Sequence, residues 1–97
     1  MKVIFLEPAQ NELDDSVIFY NQQLEGLGDK FLTEVFKAID LIQKYPNAWQ
    51  QLSVRIRRCL VKGFPYGVVY VISDNNLIII AIANLHRKPN YWLDRLT

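Results

Sequence analysis

Ninety-seven residues suit one domain, and with 51% of them apolar the chain can bury one modest core and is not a disordered segment. The single cysteine, Cys59, cannot close an internal disulfide, and no apolar run approaches the ~20 residues of a membrane span, so a soluble cytoplasmic protein is expected. The formal charge of +1 hides a division: residues 1–48 carry four lysines against eight carboxylates, residues 49–97 seven cations against two.

The opening "KVIFL" reads as a short strand, apolar throughout and so expected to be buried on both faces. The four apolar residues before Glu7 and Pro8 are too few for a signal-peptide core. Pro8 suits the first turn of a helix, where a missing N–H is no loss. Ala9, Leu13, Val17, Tyr20 and Leu24 then follow at helical spacing as one apolar stripe. "EGLG" closes this helix, with Gly26 or Gly28 free to take a positive φ. Asp29 is the expected N-cap of a second helix, which carries Leu32, Val35, Ile39 and Ile42 and is widened by Phe31, Phe36 and Tyr45. Pro46 ends it. A tight Gly-rich link between two helices of about 17 residues predicts an antiparallel hairpin.

The second half reads as strands. "RCLVKG", "YGVVYVIS" and "LIIIAIANL" are rich in β-branched and aromatic residues, with "GFP" and Asp74-Asn75-Asn76 as turn chemistry. The alternation before "RCLVKG" breaks near Arg58, which predicts a late strand start or a bulge there. In "LIIIAIA", strict alternation puts Ile78, Ile80 and Ile82 on one face and Leu77, Ile79, Ala81 and Ala83 on the other. Neither face is polar, so this strand is expected at the centre of the sheet. The predicted order is β-α-α-β-β-β: an α+β fold over residues 1–97, with an N-terminal helical hairpin on one face of a mainly antiparallel sheet.

This order, together with "RRCLVKGFPYGVVYVI", "NLIIIAIANLHRKP" and a closing Trp92 to Arg95 "W..R", resembles the RelE/ParE superfamily of toxins from type II toxin–antitoxin modules, with the ParE-like branch favoured by the long helices and "FPYG". The resemblance implies a growth-inhibiting toxin of a plasmid-stabilisation module, neutralised by a cognate antitoxin. It poisons either DNA gyrase (ParE-like) or, as a metal-independent endoribonuclease, mRNA on the ribosome (RelE-like). No cofactor, metal or membrane is implied. In the RelE-like case His86, Arg87 and Arg58 would be the catalytic residues, since cleavage needs a proton-transfer group and cations for the phosphorane charge. Read as charge alone, Arg55, Arg57, Arg58, Lys62, Arg87 and Lys88 are expected to form one basic patch that receives the target or an acidic antitoxin. Tyr66, Tyr70 and Tyr91 are candidates for anchoring or base stacking, and for Tyr66 and Tyr70, on one face of their strand, packing is the ordinary role.

Overall fold

The computed structural model describes residues 1–96. In chain order these form β1 (Lys2–Phe5), α1 (Glu7–Gln23), α2 (Leu27–Lys44), β2 (Gln50–Gln51), β3 (Arg57–Leu60), β4 (Tyr66–Ser73), β5 (Asn76–Asn84) and a closing 3₁₀ turn, Leu93–Leu96. The sheet order is β1-β5-β4-β3-β2. Only β1 runs parallel to its neighbour, β5; the other pairs are antiparallel. The predicted β-α-α-β-β-β order and α+β class hold, with β2 as a two-residue addition. Among the described residues no helix is long and apolar enough to cross a membrane.

The helices form where the sequence places them. Leu6 is extended (ψ 149°), Pro8 lies in the first turn of α1, and Glu7 sets a negative charge at the positive helix end. Gly26 takes φ +86° at the link, and α2 starts immediately after it. Asp29 therefore lies inside the first turn rather than capping it. The capping task falls to Asn21 of α1, whose Oδ1 accepts the Gly28 N–H at 2.7 Å. Gly28 also sits against α1 so closely that a Cβ there would lie 2.1 Å from the Val17 carbonyl oxygen. A sequence rule that looks only upstream of a helix misses a cap supplied by another helix.

One face of the sheet is closed by the hairpin. Ala9, Leu13, Phe31, Val35, Ala38, Ile39 and Ile42 pack on Cys59, Val61, Tyr66, Val68, Tyr70, Leu77, Ile79 and Ile82. At its centre Phe31 contacts Tyr20, Phe64 and Tyr66, with ring centroids 4.8–5.3 Å apart. Burial at this density makes the helix-side face the main source of stability. Leu24, Phe36 and Tyr45, expected to extend the buried stripes, are exposed: Leu24 and Tyr45 lie just past the ends of α1 and α2, where the chain has left helical geometry, and Phe36 falls on the outer side of α2.

Two further expectations change. β1 is an edge strand with half-buried residues, not a strand buried on both faces, because its outer side has no neighbour. β3 does start late, at Arg57, but the bulge lies elsewhere: Val69 pairs with Ala81 and Tyr70 with Ile79, leaving Ile80 as the extra residue in β5. As a result Ile80 and Ala81 both face away from the helices, while Ile79 and Ile82 both face them. The strict alternation predicted for this strand is therefore broken at its middle.

Candidate functional site

Consecutive strand residues point to opposite faces, and this decides the fate of the cations. Arg57 lies opposite Tyr70 and Arg58 opposite Val69. Tyr70 belongs to the helix-side core and Val69 to the other cluster, so Arg57 and Arg58 leave the sheet on different sides. Arg57 donates to the Trp49 carbonyl at 2.8 Å and, with Arg55, lines a hollow beside Tyr70. Lys62 is exposed at another site, beside Leu41 and Leu60. The single basic patch expected from charge alone is thus divided into separate groups.

Arg58 joins Arg87 and Lys88 instead, around a notch of about 180 Å³ on the face turned away from the helices. Its aliphatic stem lies on Gly67, where a Cβ would meet Arg58 Cγ and Cδ at 2.7 Å. One end of the guanidinium is held, with Nη2 donating to Gln50 Oε1 at 2.7 Å, while Nε is buried without a hydrogen-bond partner. Leu52, Val69 and Ala83 form the apolar floor, and Trp92, only 4% exposed, pins the C-terminal segment beside it. Arg87 and Lys88 reach the rim because β5 ends at Asn84, whose Oδ1 accepts the His86 N–H and whose carbonyl accepts the Arg87 N–H. Asn90, at φ +67°, turns the chain back toward Tyr91.

His86 is exposed and is not among the residues lining this notch. Of the three expected catalytic residues, Arg58 and Arg87 meet and His86 stands outside. Tyr66 and Tyr70 are core residues whose hydroxyls are engaged: Tyr66 Oη accepts from Ser16, and Tyr70 Oη donates to the Pro46 carbonyl at 2.7 Å. Burial pushes the Tyr70 phenol up to about 12 and the Cys59 thiol up to about 11, so neither is a reactive group at neutral pH.

Tyr91 belongs to an arrangement centred on a residue that sequence reasoning passed over, Glu12 of α1. β1 stops at Phe5, which leaves the later half of β5 without a strand on that side. Glu12 reaches into the gap. It accepts from the Ile82 N–H at 3.1 Å, from Tyr91 Oη at 2.6 Å, and from Arg95 at 2.8 and 3.1 Å. Arg95 also donates to the Ile80 carbonyl of the bulge at 3.0 Å. Arg87 lies 3.8 Å from Glu12 and places its guanidinium 3.8 Å from the Tyr91 ring centre. Burial, then the hydrogen bond to Glu12, raises the Tyr91 phenol well above its ordinary range, so its proton stays with the Glu12 pair. The only sequence signal for Glu12 is its place beside the buried stripe of α1, a position that many solvated carboxylates share.

Comparison with known proteins gives the fold and these residues their context. The family described as "ParE toxin of type II toxin-antitoxin system, parDE" matches residues 3–91. A solved structure described as "Chromosomal ParDE TA system from P. aeruginosa" superposes with a TM-score of 0.76, covering 89% of this chain and 97% of that one at 13% identity. A search of curated proteins found no match. At 13% identity the structural likeness speaks for the fold, while the family match spans nearly the whole chain. The chain therefore belongs to the ParE family of toxins from type II toxin–antitoxin systems.

Proposed function

We propose that this ParE-family toxin arrests growth in the cytoplasm by binding a protein target, DNA gyrase, without cutting RNA, that it stabilises the replicon carrying it, and that a cognate antitoxin neutralises it. The observation that carries this reading is the make-up of the notch. It gathers Arg58, Arg87 and Lys88, but His86 lies outside it and the Tyr91 proton is committed to Glu12. RNA cleavage needs a proton-transfer group beside its cations, whereas recognition of a protein surface does not. Supercoiling by purified gyrase should fall when the toxin is added at micromolar concentration, and induction should block DNA replication. Unaltered supercoiling would overturn the gyrase reading.

A second reading, a ribosome-dependent endoribonuclease, draws on the meeting of Arg58 and Arg87, two guanidiniums suited to a phosphate. It requires codon-positioned mRNA breaks on induction. It also requires that His86→Ala slow them by ~10²–10⁴-fold, the usual contribution of a general acid or base.

A further inference from the structure

The geometry points to the Arg58 notch as a docking site for a carboxylate, an Asp or Glu side chain on an acidic and partly apolar segment of a protein partner. Three observations combine. The first is unbalanced charge: Arg58, Arg87 and Lys88 line the notch, and no lining residue is acidic. Glu12, which engages Arg87, lies beside a neighbouring hollow instead.

The second is the state of Arg58. Its stem rests where only a glycine leaves room, and Gln50 holds one end of the guanidinium. The Nε–H is meanwhile buried without an acceptor, and buried donors in native proteins are overwhelmingly paired. A carboxylate entering the notch would meet a guanidinium already fixed in direction, so little ordering is needed to form a charge-assisted bond.

The third observation separates a carboxylate partner from nucleic acid. A nucleotide strand needs aromatic faces for its bases. Here Arg87 already lies over the Tyr91 ring, Trp92 is 4% exposed, and Tyr66 and Tyr70 are in the core. The floor offers aliphatic surface from Leu52, Val69 and Ala83, which matches an apolar neighbour of an acidic residue and gives a base nothing to stack on. The ligand class rests on these residues; only the identity of the protein supplying the segment rests on the toxin reading above.

The test is a titration of the isotope-labelled chain, followed by NMR at the arginine Nε–H resonances. The probes are the blocked tetrapeptide Leu-Asp-Glu-Leu, its neutral counterpart Leu-Asn-Gln-Leu, and a short single-stranded oligonucleotide. The acidic peptide should shift the Arg58 Nε–H resonance saturably and the neutral one should not. Arg58→Lys, which keeps the charge but loses Nε, should weaken the acidic peptide by about tenfold or more, as expected for loss of a directed charge-assisted bond. Gly67→Ala, which pushes the stem off its floor, should do the same, and Lys30→Gln on α2 should change nothing. Equal binding of both peptides, unaltered affinity in a folded Arg58→Lys chain, or an oligonucleotide that moves the Arg58 resonance at lower concentration than the acidic peptide would each overturn the assignment. Because the titration contains no gyrase, a failed supercoiling assay with intact peptide binding removes the toxic target and leaves the notch standing.

Discussion

The two faces of the sheet are built on different terms. The helix-side face is sealed by a hairpin whose residues interlock in a continuous apolar layer around Phe31. The opposite face has a smaller cluster, with Ala81 and Ala83 among its strand residues, and draws its cover from Leu6, Leu52, Ile56, Tyr91 and Trp92. What holds that cover in place is polar: one carboxylate, Glu12, receives bonds from a strand amide, a phenol and a guanidinium. Non-directional burial secures the fold, and directional bonds secure the segment that carries Arg87 and Lys88. A toxin has reason to be built this way, because a face closed by packing has no surface left to offer a partner.

The largest effect should come from Phe31→Ala, which removes a fully buried ring at the centre of the helix-side layer. A loss of about 3–5 kcal/mol is expected, read as a cooperative shift of the urea unfolding curve. If the C-terminal segment loosened while the hairpin stayed intact, the division between faces would be wrong.

Glu12→Ala should come next, at about 2–3 kcal/mol, because it strands the Ile82 amide and the Arg95 guanidinium. Its signature differs in kind. Hydrogen exchange should rise at Ile82 and through residues 87–96 before α2 is affected. Uniform loss of protection across the chain would merge the two faces into one unit.

Gly28→Ala acts on the hairpin alone. The added methyl would meet the Val17 carbonyl, and overpacking of this kind costs about 1–3 kcal/mol. Exchange in the Tyr91–Arg95 segment should stay as it is.

The last predicted effect is alkaline. Cys59 and Tyr70, both in the helix-side core, have raised pKa values, so the folded chain keeps protons that the unfolded chain has already released. Their stabilising contribution is whole below the unfolded pKa, 9.0 for the thiol, and is lost as pH climbs through the folded value of about 11. The urea midpoint of the wild-type chain should therefore fall between pH 9 and 11. In Cys59→Ala that decline should be shallower.

Element type was legible because it rests on local rules. Pro8 marked the first helix, Asp74-Asn75-Asn76 marked the hairpin between β4 and β5, and helical spacing found Val35, Ile39 and Ile42. The site was legible only in its ingredients. Arg58, Arg87, Lys88 and Tyr91 were singled out, but Arg57 and Lys62 looked equal to Arg58 because charge counting ignores the pleat. Gly67 and Glu12 carried no local mark, since one matters through an arginine stem lying across it and the other through a strand seventy residues away. Such roles exist only after the chain has closed on itself.

The bulge at Ile80 acts as a phase shifter. With the same residues and an unbroken alternation, everything beyond it would change sides. Ile82 would then occupy the ground now held by Ala83, and a branched side chain would rise beside Gly67 where the Arg58 stem lies. Ile80 is not among the residues that line the notch, yet its surplus position decides whether there is a hollow at all. The capacity of that surface is therefore a matter of parity: re-pairing the same residues without the bulge would set Ile82 opposite Gly67 and crowd the notch, however faithfully every cation were kept.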